Sequence, residues 1–179
     1  MHDWNAVITF HQKAIREAFD FFQNHGHVAK TDYYNVLVMR AEDPPVLLET
    51  LHEHVLHEPE SLAFLSRFIT VDETFSFQSP REFEDKAQAA AWSWCEGLKG
   101  KGFHVRMHRR GFKGKLSSTG VERLLNNSLL EKLEAMGEPG HISFEDPDAI
   151  LALETVGQRG GMSLWKREAL RKYPFLHLD

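Results

Sequence analysis

Two hydrophobic periods alternate along the first sixty residues, and this alternation limits the fold more than any other feature of the sequence. AVITF (6–10) is a short apolar run suited to a strand. KAIREAFDFFQNHG follows, with Ala14, Ile15, Ala18, Phe19 and Phe22 at helical spacing and Gly26 as a stop. YYNVLVMRAED (33–43) is rich in aromatic and branched residues, which suit a pleated surface. HVAKTD, just before it, is open to a strand reading as well. Pro44-Pro45 breaks the strong strand and can open a helix, because a first turn tolerates proline. VLLETLHEHVLHE then keeps helical spacing. The resulting order, β-α-β-β-α, calls for an α+β layer arrangement.

The same reasoning extends downstream. RFITVDETFSF (67–77) alternates and reads as one strand. Ser79-Pro80 with Glu82 three residues after Ser79 forms a capping-box signature for a helix over about 81–98. In SSTGVERLLNNSLLEKLEAMG, Val121, Leu124, Leu125, Leu129 and Leu133 make one apolar stripe that Gly137 ends. HISFEDPDAILALETVG gives strands at 141–144 and 149–156 around the turn Asp146-Pro147-Asp148. MSLWKREALRKYPFLHLD supplies a last strand and a short closing helix. No internal repeat or low-complexity linker separates the halves, so the junction falls near 68–78.

Between the helix over about 81–98 and the helix with the leucine stripe lies KGKGFHVRMHRRGFKGK (99–115). It holds seven of the chain's 21 Lys and Arg residues and no acid, while the whole chain is acidic at net −5. Charge gathered this way calls for an anionic partner. Phe103, Val105 and Met107 alternate with His104, Arg106 and His108, which predicts a strand with an apolar inner face and a cationic outer one. Arg109, Arg110, Lys113 and Lys115 carry the charge through a turn to a helix starting near Ser117–Thr119. A helix N-terminus beside guanidinium groups makes a phosphate site. The G-x-x-x-x-G-K-[ST] and G-x-G-x-x-G loops are both absent.

Other patterns are weaker. LHEHVLHE (51–58) misses the H-E-x-x-H spacing because Leu56 stands where the second His would fall, so no metal is expected. Cys95, the one cysteine, sits in an apolar helix-like stretch and reads as a buried thiol. No catalytic nucleophile–base pair and no cofactor loop is legible. The N-terminus lacks a signal-peptide pattern and no apolar run reaches ~20 residues, which points away from membranes and toward the cytoplasm.

The stretches FHVRMHRRGFKGKLSSTGVERLLNNSLL and ISFEDPDAILALETVGQRGGMSLWKRE resemble a THUMP domain, the RNA-binding module of tRNA-modifying enzymes. The resemblance rests on F-x-V-R-x-x-R-R-G (103–111), the Val121-Glu122-Arg123 helix after it, the Asp146-Pro147-Asp148 turn and the strand ILALETVG before MSLW, and covers about 68–173. The preceding rhythm resembles the ferredoxin-like domain that accompanies THUMP. The expected fold is therefore α+β, with an N-terminal ferredoxin-like domain at 1–70 and a THUMP domain at 71–179. The resemblance implies contact with the acceptor region of tRNA, with Arg106, Arg109, Arg110 and Lys113 at matching positions. With the rest of the basic run, the candidate RNA contacts are Lys99, Lys101, Arg106, His108, Arg109, Arg110, Lys113, Lys115 and Arg123.

Family THUMP domains usually adjoin a catalytic domain, and this sequence ends at Asp179. The expectation is thus a non-catalytic adaptor that binds tRNA and presents it to a modifying enzyme such as a cytidine acetyltransferase. Two other classes compete. One is a small enzyme acting on RNA or nucleotides, with His104, His108 and the Asp-Pro-Asp turn near its site. The other is a protein-interaction module with a basic face.

Overall fold

A computed structural model describes residues 1–178 as an α+β protein with two sheets. The chain divides into two compact units, Met1–Val71 with Leu170–His177, and Asp72–Ala169 with the C-terminal end.

The first unit contains β1 (Ala6–Phe10), α1 (Ile15–Phe22), β2 (Gly26–Lys30), β3 (Val36–Ala41), α2 (Pro44–His57) and β4 (Leu65–Thr70). Its sheet runs β2-β3-β1-β4, antiparallel throughout. Asp43 caps α2 by accepting the Val46 N–H at 3.1 Å, and Pro44 and Pro45 occupy the first turn. Gly26 opens β2 at φ 153°, where an added Cβ would stand 2.2 Å from the Arg40 carbonyl oxygen. The core is aromatic: Phe22 stacks on Phe68 at 5.2 Å, and Phe68 meets Phe175 of the returning C-terminal segment. Arg67 is buried and donates to the Leu176 carbonyl at 2.8 Å, which fixes that segment. Residues 170–177, expected in the second domain, thus pack with the first unit. Of the stripe expected on α1, Ala18 and Phe22 are fully buried, but Ile15 is 39% exposed.

The expected single strand over 67–77 is two strands in two sheets. The Val71 N–H pairs with the Asn5 carbonyl in the first sheet, and the Asp72 N–H pairs with the Met162 carbonyl in the second. Alternation continues through the break because both halves are pleated.

The second unit contains β5 (Glu73–Ser76), α3 (Pro80–Trp92), β6 (Gly102–His108), α4 (Ser118–Ala135), β7 (His141–Ile142), β8 (Ala149–Val156), β9 (Arg159–Lys166) and the start of α5 (Arg167–Lys172). Its sheet runs β5-β9-β8-β6-β7, with β6 parallel to both β8 and β7. Ser79 accepts the Glu82 N–H, and the Glu82 carboxylate reaches back to the Gln78 N–H at 2.9 Å, one residue beyond the usual capping-box partner. α3 stops at Trp92, short of the expected 98, and a 3₁₀ turn over Cys95–Leu98 follows. Phe103, Val105 and Met107 pack with Leu151, Leu153 and Met162 against Phe83 of α3 and Leu125 and Leu129 of α4. No helix among the described residues is long and apolar enough to cross a membrane.

Candidate nucleic-acid interface

Strand β6 has a short neighbour. β7 pairs only with Gly102 and Phe103, which would leave the later amides on that edge without partners. Helix α4 supplies them: Asn126 Oδ1 accepts the Val105 N–H at 2.9 Å, and Glu122 Oε1 accepts the Met107 N–H at 2.8 Å. These bonds fix β6 to α4 and so fix the loop between them.

The face of β6 opposite the helices is not the solvated cationic surface that its alternation predicts. His104 is 1% exposed and its Nδ1 pairs with the Ser143 carbonyl at 2.8 Å. Burial holds its pKa below the usual histidine value, which favours a neutral ring. Arg106 is half-buried and donates from Nε to the Leu178 carbonyl at 3.0 Å. His108 lies 3.5 Å from Glu154, a fully buried carboxylate at the matching position of β8. Arg110 Nη1 approaches the same carboxylate at 2.7 Å. A buried carboxylate without partners would be strongly disfavoured, so Glu154 constrains both side chains.

Beyond β6 the loop is tied by its backbone. The Arg110 N–H donates to Thr155 Oγ1 at 3.0 Å, and the Arg110 carbonyl accepts the Gly157 N–H at 2.9 Å. The Arg109 guanidinium folds onto the Gly111 carbonyl. Gly111, Phe112 and Gly114 all have positive φ, at 104°, 52° and 78°. Phe112 holds that uncommon conformation with its ring 5.1 Å from Phe77. The loop tip therefore presents Lys113 and Lys115, both exposed and without an ion pair among the described residues. Ser117 caps α4 by accepting the Gly120 N–H at 3.1 Å.

The other sequence candidates separate. Lys99 pairs with Glu96 at 2.9 Å and sits 4.0 Å from Glu138, and the Glu96 bond raises its pKa. Lys101 and Arg123 are exposed. Asp146 and Asp148 are clamped by Arg167, at 3.3 and 3.2 Å, and Asp148 also accepts the Gly102 N–H at 2.8 Å. That turn thereby fixes the start of β6. His54 pairs with Ser61, and His57 lies 3.3 Å from Glu53. No group of three or more His, Cys, Asp or Glu is placed to hold a metal among the described residues. Cys95 is buried, which pushes its pKa up.

Sequence reasoning missed Glu154, Glu122, Asn126 and Arg167. Only Glu154 left a local signal, as a lone acid inside the buried run AILALETV.

No family model and no curated protein matches this sequence. Solved structures do. PH1313 from Pyrococcus horikoshii Ot3 superposes with a TM-score of 0.57 at 9% identity, over 90% of this chain and 54% of that one. TrmN from Thermus thermophilus gives 0.58 at 17% identity, over 90% and 44%. A 4-thiouridine synthetase in complex with RNA and bound ATP gives 0.51 at 11% identity, over 92% and 42%. This chain thus spans about half the length of these structures. The expectation of a non-catalytic adaptor is corrected by the same comparison. Besides TrmN and the synthetase, the similar structures include a possible methylase from Clostridium difficile 630 and SMU.472, a methyltransferase-type protein complexed with SAH. Their names are those of enzymes rather than of an adaptor. At these identities what is shared is the fold, and that fold is THUMP-like.

Proposed function

We propose that this chain provides the RNA-holding part of an RNA-modifying enzyme, with folded tRNA as its substrate. The observation that carries this reading is the 109–115 loop. Its exposed lysines stand beside the start of α4, on a backbone set by Glu154 and by the positive-φ residues Gly111, Phe112 and Gly114. Cations strung along a rigid turn suit a phosphate backbone. The complex of the 4-thiouridine synthetase with RNA supports the same partner. The strand order β2-β3-β1-β4 supports reading the first unit as ferredoxin-like. On this reading the functional division falls at 70–71 and the protein works in the cytoplasm. Lys101, Lys113, Lys115 and Arg123 are its exposed contacts, and Arg106, His108, Arg109 and Arg110 support the surface from within.

The test pairs binding with chemistry. Folded tRNA should bind more tightly than an unstructured RNA of equal length, with affinity falling steeply as salt rises. Nucleoside mass spectrometry of tRNA from cells lacking the gene should show one modified nucleoside missing. Equal affinity for both RNAs together with an unchanged nucleoside profile would overturn the proposal.

A further inference from the structure

The first unit carries a second cationic surface, built without any run of charge in the sequence. Two adjoining hollows, of about 280 and 530 Å³, share Ile15 and Lys30 in their walls. Among the described residues, three cations line them, Lys13, Arg16 and Lys30, and no acid does. All three are exposed, and none has an ion pair among the described residues. The acids of the same segments, Glu17, Asp20 and Asp32, lie outside these walls, and Glu17 lines a different hollow together with Glu60. In a chain of net charge −5, this separation of sign is local and specific.

The walls are also aromatic. Phe10, Tyr33 and Tyr34 line one hollow and Phe19 the other. Tyr34 is 73% exposed, so its ring is free to be covered by a partner. Ile15, at 39% exposure, forms part of the same floor, which accounts for its absence from the helical core stripe.

The rim is fixed before any ligand arrives. Thr31 Oγ1 donates to the Val36 carbonyl at 2.9 Å and accepts the Tyr33 N–H at 3.1 Å, which closes the turn carrying both tyrosines. The Asn35 carbonyl accepts the Phe10 N–H at 3.1 Å. Lys13 and Asn35, at φ 71° and 57°, are among the non-glycine residues with positive φ, and both line this hollow. Strained backbone held by well-made hydrogen bonds is typical of a pre-organised site.

We infer that this hollow binds one unpaired nucleotide of the RNA, its base on Tyr34 and its phosphate on Lys13 and Lys30. The inference rests on the RNA reading above and adds a contact outside the THUMP-like unit. An exposed aromatic face beside cations fits a base with its phosphate better than an acidic peptide, which brings charge but no ring to stack.

The experiment uses the full chain, folded tRNA, a short single-stranded oligouridylate and polyglutamate. Ultraviolet crosslinking of the oligouridylate should label the peptide containing Tyr33 and Tyr34. Tyr34→Ala should weaken RNA binding roughly 5- to 150-fold, the range for loss of one stacked base. Tyr34→Phe should retain binding, and both variants should melt with the wild type because Tyr34 is exposed. Wild-type tRNA binding that Tyr34→Ala leaves unchanged, without a crosslink in this segment, overturns the nucleotide site and spares the RNA reading. A crosslink here without tRNA binding overturns folded tRNA as the substrate and keeps the nucleotide site. Polyglutamate binding that Tyr34→Ala abolishes, with no RNA binding, overturns both.

Discussion

Strand β6 and the loop after it are made from the same residue types and use them in opposite ways. In β6, His104 is buried, Arg106 is held by a backbone carbonyl and His108 faces a buried carboxylate. In the loop, Lys113 and Lys115 project into solvent. The change of role falls at Arg110, which belongs to the basic run in sequence and to the Glu154 cluster in space. A dense run of cations is therefore not yet a cationic surface. Some of the charge neutralises an acid contributed by a distant strand, and only the remainder is left for a partner.

The sharpest way to break this distinction is at Glu154. Removing a fully buried carboxylate takes away the ion-pair partner of Arg110, whose side chain is only 13% exposed. Glu154→Ala should lose about 3 kcal/mol of stability in urea denaturation, the lower end of the range for breaking one side of a buried pair. Replacing both partners with apolar residues, as Glu154→Leu with Arg110→Met, should recover most of that loss. If the double variant is as unstable as the single one, Arg110 does not owe its position to Glu154.

The complementary change is made in the loop. Lys113→Ala with Lys115→Ala should leave the melting temperature unchanged and weaken tRNA binding about equally for different sequences. For every phosphate that no longer meets a lysine, the log–log salt slope should flatten by roughly 0.7 to 0.9. An unaltered slope would move the interface away from the loop.

These two regions also show what the sequence could and could not reveal. Period-two alternation correctly separates Phe103, Val105 and Met107 from His104, Arg106 and His108. It does not show that the second face is covered too, because alternation says which residues share a face and not what lies against it. The 67–77 stretch misleads for a related reason. Pleating continues through Val71 and Asp72, and only their hydrogen-bond partners, Asn5 and Met162, reveal two sheets. Phe175 and Leu176 are legible as apolar but not as belonging to the first unit. The cation–aromatic hollow is hidden because its charges are spread from residue 13 to residue 30 among acids that the fold turns elsewhere.

A smaller effect tests the loop's shape rather than its charge. Gly114 has φ 78°, and an added Cβ would meet nothing within 4 Å. Gly114→Ala should therefore cost about 1 kcal/mol through backbone strain alone. The substitution leaves every cation in place, so any loss of RNA affinity, expected to be smaller than that of the lysine variants, would show that the presentation of the lysines matters as well as their charge.

The smallest effect lies at the opposite end of β6. The Gly102 N–H, and after it the charge of Arg167, hold the Asp148 carboxyl below the usual aspartate pKa. A group whose folded pKa is depressed contributes stability that is fully present above its unfolded pKa, near ~3.9, and is lost as pH falls through the folded value. Asp148→Asn removes the titration while leaving an oxygen that can still accept the Gly102 N–H. Above about pH 5 the wild type should be slightly the more stable of the two. As the pH falls below the unfolded value the gap should narrow, and once the wild-type carboxyl is protonated it should vanish. Urea midpoints of both proteins measured between about pH 2 and 7 would follow this convergence. A gap that stays constant across the range would mean that Asp148 orders the start of β6 by shape and hydrogen bonding alone, without a contribution from its charge.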